Sequence, residues 1–251
     1  MSVVQHSGDA RHVTHGLAAA GWRTVSDPLS AEVVLRSPDL RHRLQFDPQS
    51  TTSAWWRLWA EPTDTEHGWY AEFSELVPAE VLAGVTDALV VPPQQRQDPW
   101  QAVISAGWQR HSDGTVLSPD SMCHIALRPL SEFSRGPSWH VETREPCRGQ
   151  FPGPRIWHAY FDEHAPAHLV GSFLTALADR RPLLRGMFDR TSHYSAVQEP
   201  SSLRPQQVVD AHTARIESLR ALARARSARR QQTTPTTAPT HASTAQPTVR
   251  R

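Results

Sequence analysis

Short runs of alternating apolar and polar residues occur in two series along the first two thirds of the chain. They cover residues 32–36, 41–47, 54–60 and 68–74 in the first series, and residues 115–117, 121–128, 138–143 and 155–161 in the second. A period of two with abundant Trp, Val and Phe is typical of antiparallel strands that have one buried face. The pattern therefore predicts two antiparallel meanders of about four strands each.

Helical patterns flank each series of strands. A short helix is predicted to stop at Gly21 and another at Gly107, because glycine readily adopts the left-handed conformation that ends helices. After the strands, Pro78 and Pro166 suit the first position of a helix, and apolar residues follow them at helical spacing. Each series therefore predicts a sheet with a helix over one face.

The two series are copies of one pattern. Ala20-Gly21-Trp22 returns as Ala106-Gly107-Trp108, Ser37-Pro38-Asp39 returns as Ser118-Pro119-Asp120, and Trp69-Tyr70-Ala71-Glu72-Phe73 returns as Trp157-His158-Ala159-Tyr160-Phe161. Two copies with a period of more than about 80 residues indicate two domains of one fold rather than a solenoid of short units.

These patterns together predict an α+β protein with two tandem copies of one domain. Each domain is a roughly four-stranded antiparallel meander with a C-terminal helix over one face. We place the first domain at residues 10–91, a linker at 92–98 and the second domain at 99–186. An Arg-rich helix is predicted at 205–230. The Thr-, Pro- and Ala-rich segment 231–251 is predicted to be disordered.

The repeated motifs resemble the SPDY domain family. That family is named for a Ser-Pro-Asp-Tyr motif and occurs in filamentous actinobacteria, often as tandem copies. The resemblance covers about residues 12–185, and it implies an unassigned function and no catalytic residue. Leu40 and Ser121 stand where the motif has Tyr, so tyrosine chemistry is not expected at that position.

The charge of the chain is unevenly distributed, although its net charge is only +1 and all 26 basic residues are Arg. Residues 1–100 carry 7 Arg against 13 acidic residues, whereas residues 211–251 carry 8 Arg against Glu217 alone. This asymmetry predicts a basic segment that interacts with nucleic acid, with an acidic partner or with the acidic first domain; a solvated, partly frayed helix is the alternative. The candidate residues are Arg220, Arg224, Arg226, Arg229 and Arg230.

Two cysteines without a CxxC pattern, Cys123 and Cys147, favour a reducing compartment. The first residues lack the pattern of a signal peptide, and no apolar run approaches the ~20 residues of a membrane span. We therefore expect a soluble cytoplasmic protein without a membrane partner, and we expect Cys123 to be an inert buried thiol.

Alternation also divides each predicted sheet into a core face, under the helix, and an outer face opposite it. Apolar residues shared by both copies, such as Leu44 with Ile125 and Phe46 with Leu127, are assigned to the core. On the outer face the first copy carries Arg41, Arg43, Trp55, Arg57, Trp59 and Tyr70.

Three roles are open for that outer face. It could bury itself against the second copy or the Arg-rich helix, bind a protein or peptide, or bind single-stranded nucleic acid by stacking bases and contacting phosphates. The leading prediction is a non-enzymatic tandem-domain binding or adaptor protein. A single-stranded nucleic-acid-binding protein that uses the Arg/aromatic face and the Arg-rich segment is the alternative.

The second copy carries His124, His140 and His158 on its outer face, with Glu142 nearby. Three imidazoles on adjacent strands could hold zinc, so a metal-dependent enzyme is a second alternative. No short ligand spacing supports it, and the chain lacks phosphate-binding glycine loops, GxSxG and HExxH. We therefore expect no cofactor and ordinary, hydrogen-bonded or exposed histidines.

Overall fold

The structure is a computed structural model, and it describes residues 9–93, 98–129, 136–146, 153–183 and 199–233. Most of the predicted linker at 92–98, the end of the predicted second domain, Cys147 and the predicted tail from residue 234 onward lie outside the described residues. The side chain of Arg230 also lies outside them.

The described residues form ten strands and five helices. The strands are β1 (Arg23–Thr24), β2 (Val33–Arg36), β3 (His42–Phe46), β4 (Ala54–Ala60), β5 (Trp69–Ser74), β6 (Gln109–Arg110), β7 (Val116–Leu117), β8 (Cys123–Arg128), β9 (Ser138–Arg144) and β10 (Arg155–Phe161). The helices are α1 (Arg11–Ala19), α2 (Ala79–Val90), α3 (Gln101–Ser105), α4 (Ala167–Ala178) and α5 (Pro205–Thr233).

All ten strands belong to one antiparallel sheet in the order β1-β2-β3-β4-β5-β10-β9-β8-β7-β6. The first half of the chain (residues 9–93) contributes β1–β5 and the second half (98–183) contributes β6–β10. The halves meet where β5 pairs with β10, with Phe73 opposite Ala159 and Ala71 opposite Phe161. This pairing hydrogen-bonds two strands that would otherwise be exposed sheet edges. The sequence predicted two separate meanders and missed the short edge strands β1 and β6.

The helices α2 and α4 pack against each other over the centre of the sheet. Their close approach depends on Gly84, where an added Cβ would lie 3.0 Å from the Cβ of Ala176. Beneath them, Phe173 contacts Phe73 and Phe161 at centroid distances of 5.6 and 5.4 Å. One hydrophobic core therefore runs through both halves of the sheet.

The long helix α5 docks beside α1 and α2, on the helix side of the sheet. The guanidinium of Arg215 pairs with Asp87 of α2 at 2.5 and 2.9 Å and donates to the carbonyl oxygen of His12 at 2.9 Å. Leu219 is buried next to it, and Gly16 of α1 leaves room for both side chains. Within the described residues, no helix is long and apolar enough to cross a membrane.

Two details of the sequence prediction are wrong. Leu127 is 42% exposed, because it lies near the end of β8, opposite the half-buried Trp139. Pro78 and Pro166 are not the first helical residues; both have an extended ψ of 128° and precede the first helical turn as N-caps.

Candidate functional site

The Ser-Pro-Asp motifs form the tight turns of two hairpins. In the first turn, the Ser37 hydroxyl donates to Asp39 Oδ1 at 2.5 Å and accepts the amide hydrogen of His42 at 2.9 Å. Leu40 takes the left-handed conformation with φ of 61°. Because the hydroxyl and one carboxylate oxygen are used within the turn, the motif explains the fold and does not supply a nucleophile.

The second turn repeats these bonds. Ser118 donates to Asp120 at 2.6 Å and accepts from the Cys123 amide at 2.9 Å, and Ser121 has a φ of 59°. The fourth position of the motif is thus a left-handed backbone position in both halves. The thiol of Cys123 is buried, and burial raises its pKa to about 12, as expected of an inert cysteine.

The Ala-Gly-Trp motifs are helix stops, as predicted. Gly21 has a φ of 89°, and the Trp22 amide donates to the carbonyl of Leu17 at 3.1 Å. Gly107 and Trp108 repeat this arrangement. The bond from Trp22 to Leu17 is the long-range bond of a Schellman motif, so this second repeated signature also belongs to the fold.

In the part of the chain that the structure describes, the outer face of the sheet is not buried against the second half or against α5. The halves join edge to edge, and α5 contacts α1 and α2 on the opposite side. Trp59 and Tyr70 are partly exposed on the outer face, and the described contacts of their side chains are made within the sheet. Of the three roles considered for this face, internal packing is not supported by the contacts of the described residues.

Five residues of the outer face lie directly opposite one another across β1–β5. The pairing register joins them in one continuous row, which we call the first-half row: Arg23, Arg36, Arg43, Trp59 and Tyr70. The three arginines are exposed. With strands about 4.8 Å apart, the row is about 19 Å long.

The same register in the second half gives a row of different chemistry. Gln109, Leu117, His124, Glu142 and His158 lie opposite one another across β6–β10. A sheet of this topology therefore forms without three adjacent arginines. Like charges directly opposite each other are destabilising, so the run of three arginines is a cost to the fold, although Arg36 also donates to the carbonyl oxygen of Leu40 in the hairpin turn at 3.3 Å.

Within the first-half row, the guanidinium carbon of Arg43 lies 4.9 Å from the centroid of the Trp59 ring. Tyr70 donates to Glu72 at 2.9 Å, and burial raises the pKa of Tyr70 to about 12. Glu72 in turn lies 3.6 Å from His158 of β10, which lowers the pKa of that carboxyl. The aromatic end of the row is thus held in place from the second half.

The structure separates the other predicted outer-face residues from this row. Arg57 lies in the neighbouring row and donates to Thr52 at 2.5 Å. Trp55 lies at a register shift in β4 and packs edge-on against Phe46, at the border of the core. Arg41 precedes β3, pairs with Glu66 and lines a cleft. Arg23 and Arg36 were missed, because only the pairing register reveals that they lie beside Arg43.

The predicted histidine cluster is not brought together as a metal site. His124 and His158 lie on either side of Glu142, whereas His140 lies in the next row against Tyr160, at 5.2 Å between ring centroids. Among the residues that the structure describes, no group of three or more His, Cys, Asp or Glu residues could hold a metal ion. Burial lowers the pKa of His124 and His140.

Several sequence-predicted arginines of α5 face solvent. Arg220, Arg224 and Arg229 are exposed, whereas Arg226 donates to the carbonyl of Val90 at 2.7 Å. Arg226 therefore helps to hold α5 in place, whereas Arg220 and Arg224 line a shallow pocket beside the C-terminal end of α1.

A cleft of about 760 Å³ lies between the first half, the start of α4 and α5. Its floor contains Trp22, His42 and Trp69, with the His42 ring 6.3 and 6.0 Å from the two indoles. Burial lowers the pKa of His42. At its rim, His67 and His164 stack at 4.6 Å between centroids.

Comparison with known proteins agrees with the motifs and leaves the activity open. Neither curated proteins nor solved structures give a match. The family model SPDY, described as a domain of unknown function (DUF317), matches residues 36–95 and 117–183, which together make up half of the chain. The chain therefore belongs to the SPDY family.

Proposed function

We propose that this protein is a non-enzymatic binding protein, built from two copies of the SPDY domain, whose first-half row binds single-stranded nucleic acid. The observation that carries the proposal is the register of Arg23, Arg36 and Arg43, which sets three exposed arginines opposite one another on adjacent strands. Planar guanidinium groups bind phosphate oxygens in a two-pronged manner.

The aromatic end of the row supports the same ligand. Trp59 and Tyr70 continue the line of arginines and are partly exposed. Bases that stack on such rings contribute roughly 1–3 kcal/mol each, with little dependence on sequence. Arginines followed by aromatic rings are complementary to a nucleic-acid single strand, which presents phosphates to the arginines and accessible bases to the rings.

The acidic character of the first half opposes this binding and limits its strength. The row itself contains no acidic residue, and the exposed arginines of α5 add positive charge elsewhere on the molecule. Three phosphate contacts on a single strand predict a slope of about −2 for log K against log salt. We therefore expect binding that is clear at low salt and weak at physiological salt.

The test is a titration of fluorescein-labelled oligothymidylate, followed by anisotropy and by quenching of tryptophan emission. The row variant Arg23→Gln/Arg43→Gln is compared with Arg11→Gln/Arg181→Gln, which removes the same charge from arginines that are paired with Asp9 and Asp179. The proposal predicts that only the row variant loses affinity. Equal loss in both variants would indicate nonspecific charge attraction.

A protein or peptide partner for the same face is a second candidate. Exposed Trp, Tyr and Arg side chains in one row are also the residues that dominate protein interfaces. Absence of oligothymidylate binding at low salt would remove the nucleic-acid proposal and leave this adaptor role as the interpretation of the row.

A further inference from the structure

The cleft between the first half and α5 carries polar groups that the fold does not need. Its volume of about 760 Å³ lies within the range of small-molecule sites. It lies on the helix side of the sheet, away from the first-half row, and it is closed along one side by Ala223, Arg226 and Ser227 of α5. A ligand bound there would contact both halves and α5.

The second half shows which residues the equivalent turn carries in the other copy of the domain. Its hairpin turn repeats the first turn, but Met122 and Cys123 follow Asp120 where Arg41 and His42 follow Asp39 and Leu40. Met122 and Cys123 are both buried. The same turn therefore forms with buried, non-ionic side chains at these two positions. Arg41 and His42 are found there only in the first half.

The burial of His42 makes this addition costly. Its side chain is 17% exposed, and its ring lies between Trp22 and Trp69. A mostly buried imidazole loses hydration that a cysteine would not require. One ring nitrogen, Nδ1, lies 3.8 Å from Asp39 Oδ1, and the imidazole retains Nε2 as a polar group for a ligand.

Arg41 supplies the positive charge of the site. Its guanidinium donates to the carbonyl of Glu61 at 3.3 Å and pairs with Glu66, whose side chain is 61% exposed. Glu66 is the solvent-exposed partner and Arg41 is 22% exposed, so an anionic ligand that displaces Glu66 replaces one partly screened ion pair with another. The bond to the Glu61 carbonyl holds Arg41 in the lining of the cleft when no ligand is bound.

We infer that the cleft binds a small planar aromatic molecule that carries an anionic group, with the ring on the Trp22–His42–Trp69 floor and the anion on Arg41. Aromatic carboxylates and nucleotides share this chemistry. The ring would meet flat side chains in the floor and the stacked pair His67 and His164 at the rim. Arg226 on the α5 side adds a second positive charge to the lining.

The test is saturation-transfer NMR with the full-length protein and two matched sets of probes. One set is indole-3-carboxylate, indole and acetate, and the other is adenosine 5′-monophosphate and adenosine. At least one of the two aromatic anions is expected to bind with a Kd below about 1 mM, and at least about tenfold more tightly than its neutral analogue. The set whose anion binds in this way shows whether the ligand of the cleft is an aromatic carboxylate or a nucleotide.

The variants that test the cleft take their residues from the equivalent turn of the second half. Arg41→Met and His42→Cys introduce the residues that the equivalent turn tolerates, so both are expected to fold, and thermal melts check this. Both are expected to weaken binding by about tenfold or more, whereas Arg181→Gln, at an exposed arginine that pairs with Asp179 outside the cleft, is the control and leaves it unchanged. Binding of neither anion, or wild-type affinity in both folded variants, would overturn the inference. Oligothymidylate binding is also measured for His42→Cys, because it tests the first-half row independently of the cleft.

Discussion

The guanidinium carbon of Arg43 lies 4.9 Å from the ring centroid of Trp59, and the two residues face each other directly across β3 and β4. This contact joins the charged end of the first-half row to its aromatic end. A cation placed over an indole contributes about 0.5–1 kcal/mol at an exposed site, which offsets part of the repulsion from Arg36 on the other side.

The first prediction concerns the first-half row, whose adjacent arginines lower the stability of the fold but are proposed to bind nucleic acid. Arg23→Gln introduces the residue that β6 has at the equivalent place, Gln109, and removes a like charge opposite Arg36. We expect the free energy of unfolding to stay unchanged or to rise by a few tenths of a kcal/mol at low salt. Affinity for oligothymidylate should fall, and the salt slope should become shallower by about 0.7.

Urea denaturation and anisotropy titrations on the same preparations measure both quantities. The control is Arg181→Gln, which removes an exposed arginine on the helix side. Loss of stability in Arg23→Gln, with unchanged salt dependence, would mean that Arg23 belongs to the fold rather than to a binding surface.

The second prediction concerns the hairpin turns. Ser37→Ala removes a buried hydroxyl that bonds both Asp39 and the amide of His42. Leaving a buried amide without its acceptor costs about 1–3 kcal/mol. Ser118→Ala is expected to cost a similar amount, because the second turn has the same bonds. Thermal and urea unfolding measure both; a catalytic role for either serine would instead leave stability unchanged.

The third prediction concerns the docking of α5. Arg215→Ala removes the partner of Asp87, a carboxyl whose pKa burial raises. The side chains of Arg215 and Asp87 are 26% and 31% exposed, so we expect a loss of about 1–2 kcal/mol rather than the larger value for a fully buried pair. Limited proteolysis should then cut α5 faster in Arg215→Ala than in the wild type.

Asp87→Asn provides the complementary variant for a double-mutant cycle. If the pair holds α5, Arg215→Ala should cost much less in the Asp87→Asn background than alone. Additive losses would show that Arg215 acts mainly through its bond to the carbonyl of His12.

The fourth prediction concerns pH. Burial lowers the pKa of His42, His124, His140 and His168. The unfolded chain, with imidazoles near 6.5, therefore takes up protons at higher pH than the folded chain. Stability should be fully present above about pH 7 and should fall as the pH drops through about 6.5.

Urea titrations between pH 5 and about 8 measure this slope. His42→Cys should make it shallower, because it removes one of the groups responsible. An unchanged slope in that variant would mean that His42 is protonated equally in both states.

Local chemistry explains why much of the fold could be predicted from the sequence. The strand bounds of β4 and β10 and the helix stops at Gly21 and Gly107 follow from alternation and from the left-handed preference of glycine. Such signals act within a few residues and are visible in one copy.

The candidate site could be predicted only in part, because it depends on pairing between distant segments. Arg43, Trp59 and Tyr70 follow from alternation within their strands, whereas Arg23 lies in a two-residue strand with no pattern of its own. The cleft needs the docked α5 and the start of α4, and no sequence spacing shows that these reach His42. The pairing of β5 with β10 likewise depends on tertiary structure and leaves no local pattern in the sequence.

The most direct test of the central claim is the salt dependence of oligothymidylate binding for the wild type and for Arg23→Gln/Arg43→Gln. The first-half row predicts a slope of about −2 in the wild type and of less than half that value in the variant, with Arg11→Gln/Arg181→Gln unchanged. No binding by the wild type at low salt, or the same slope in all three proteins, would contradict it.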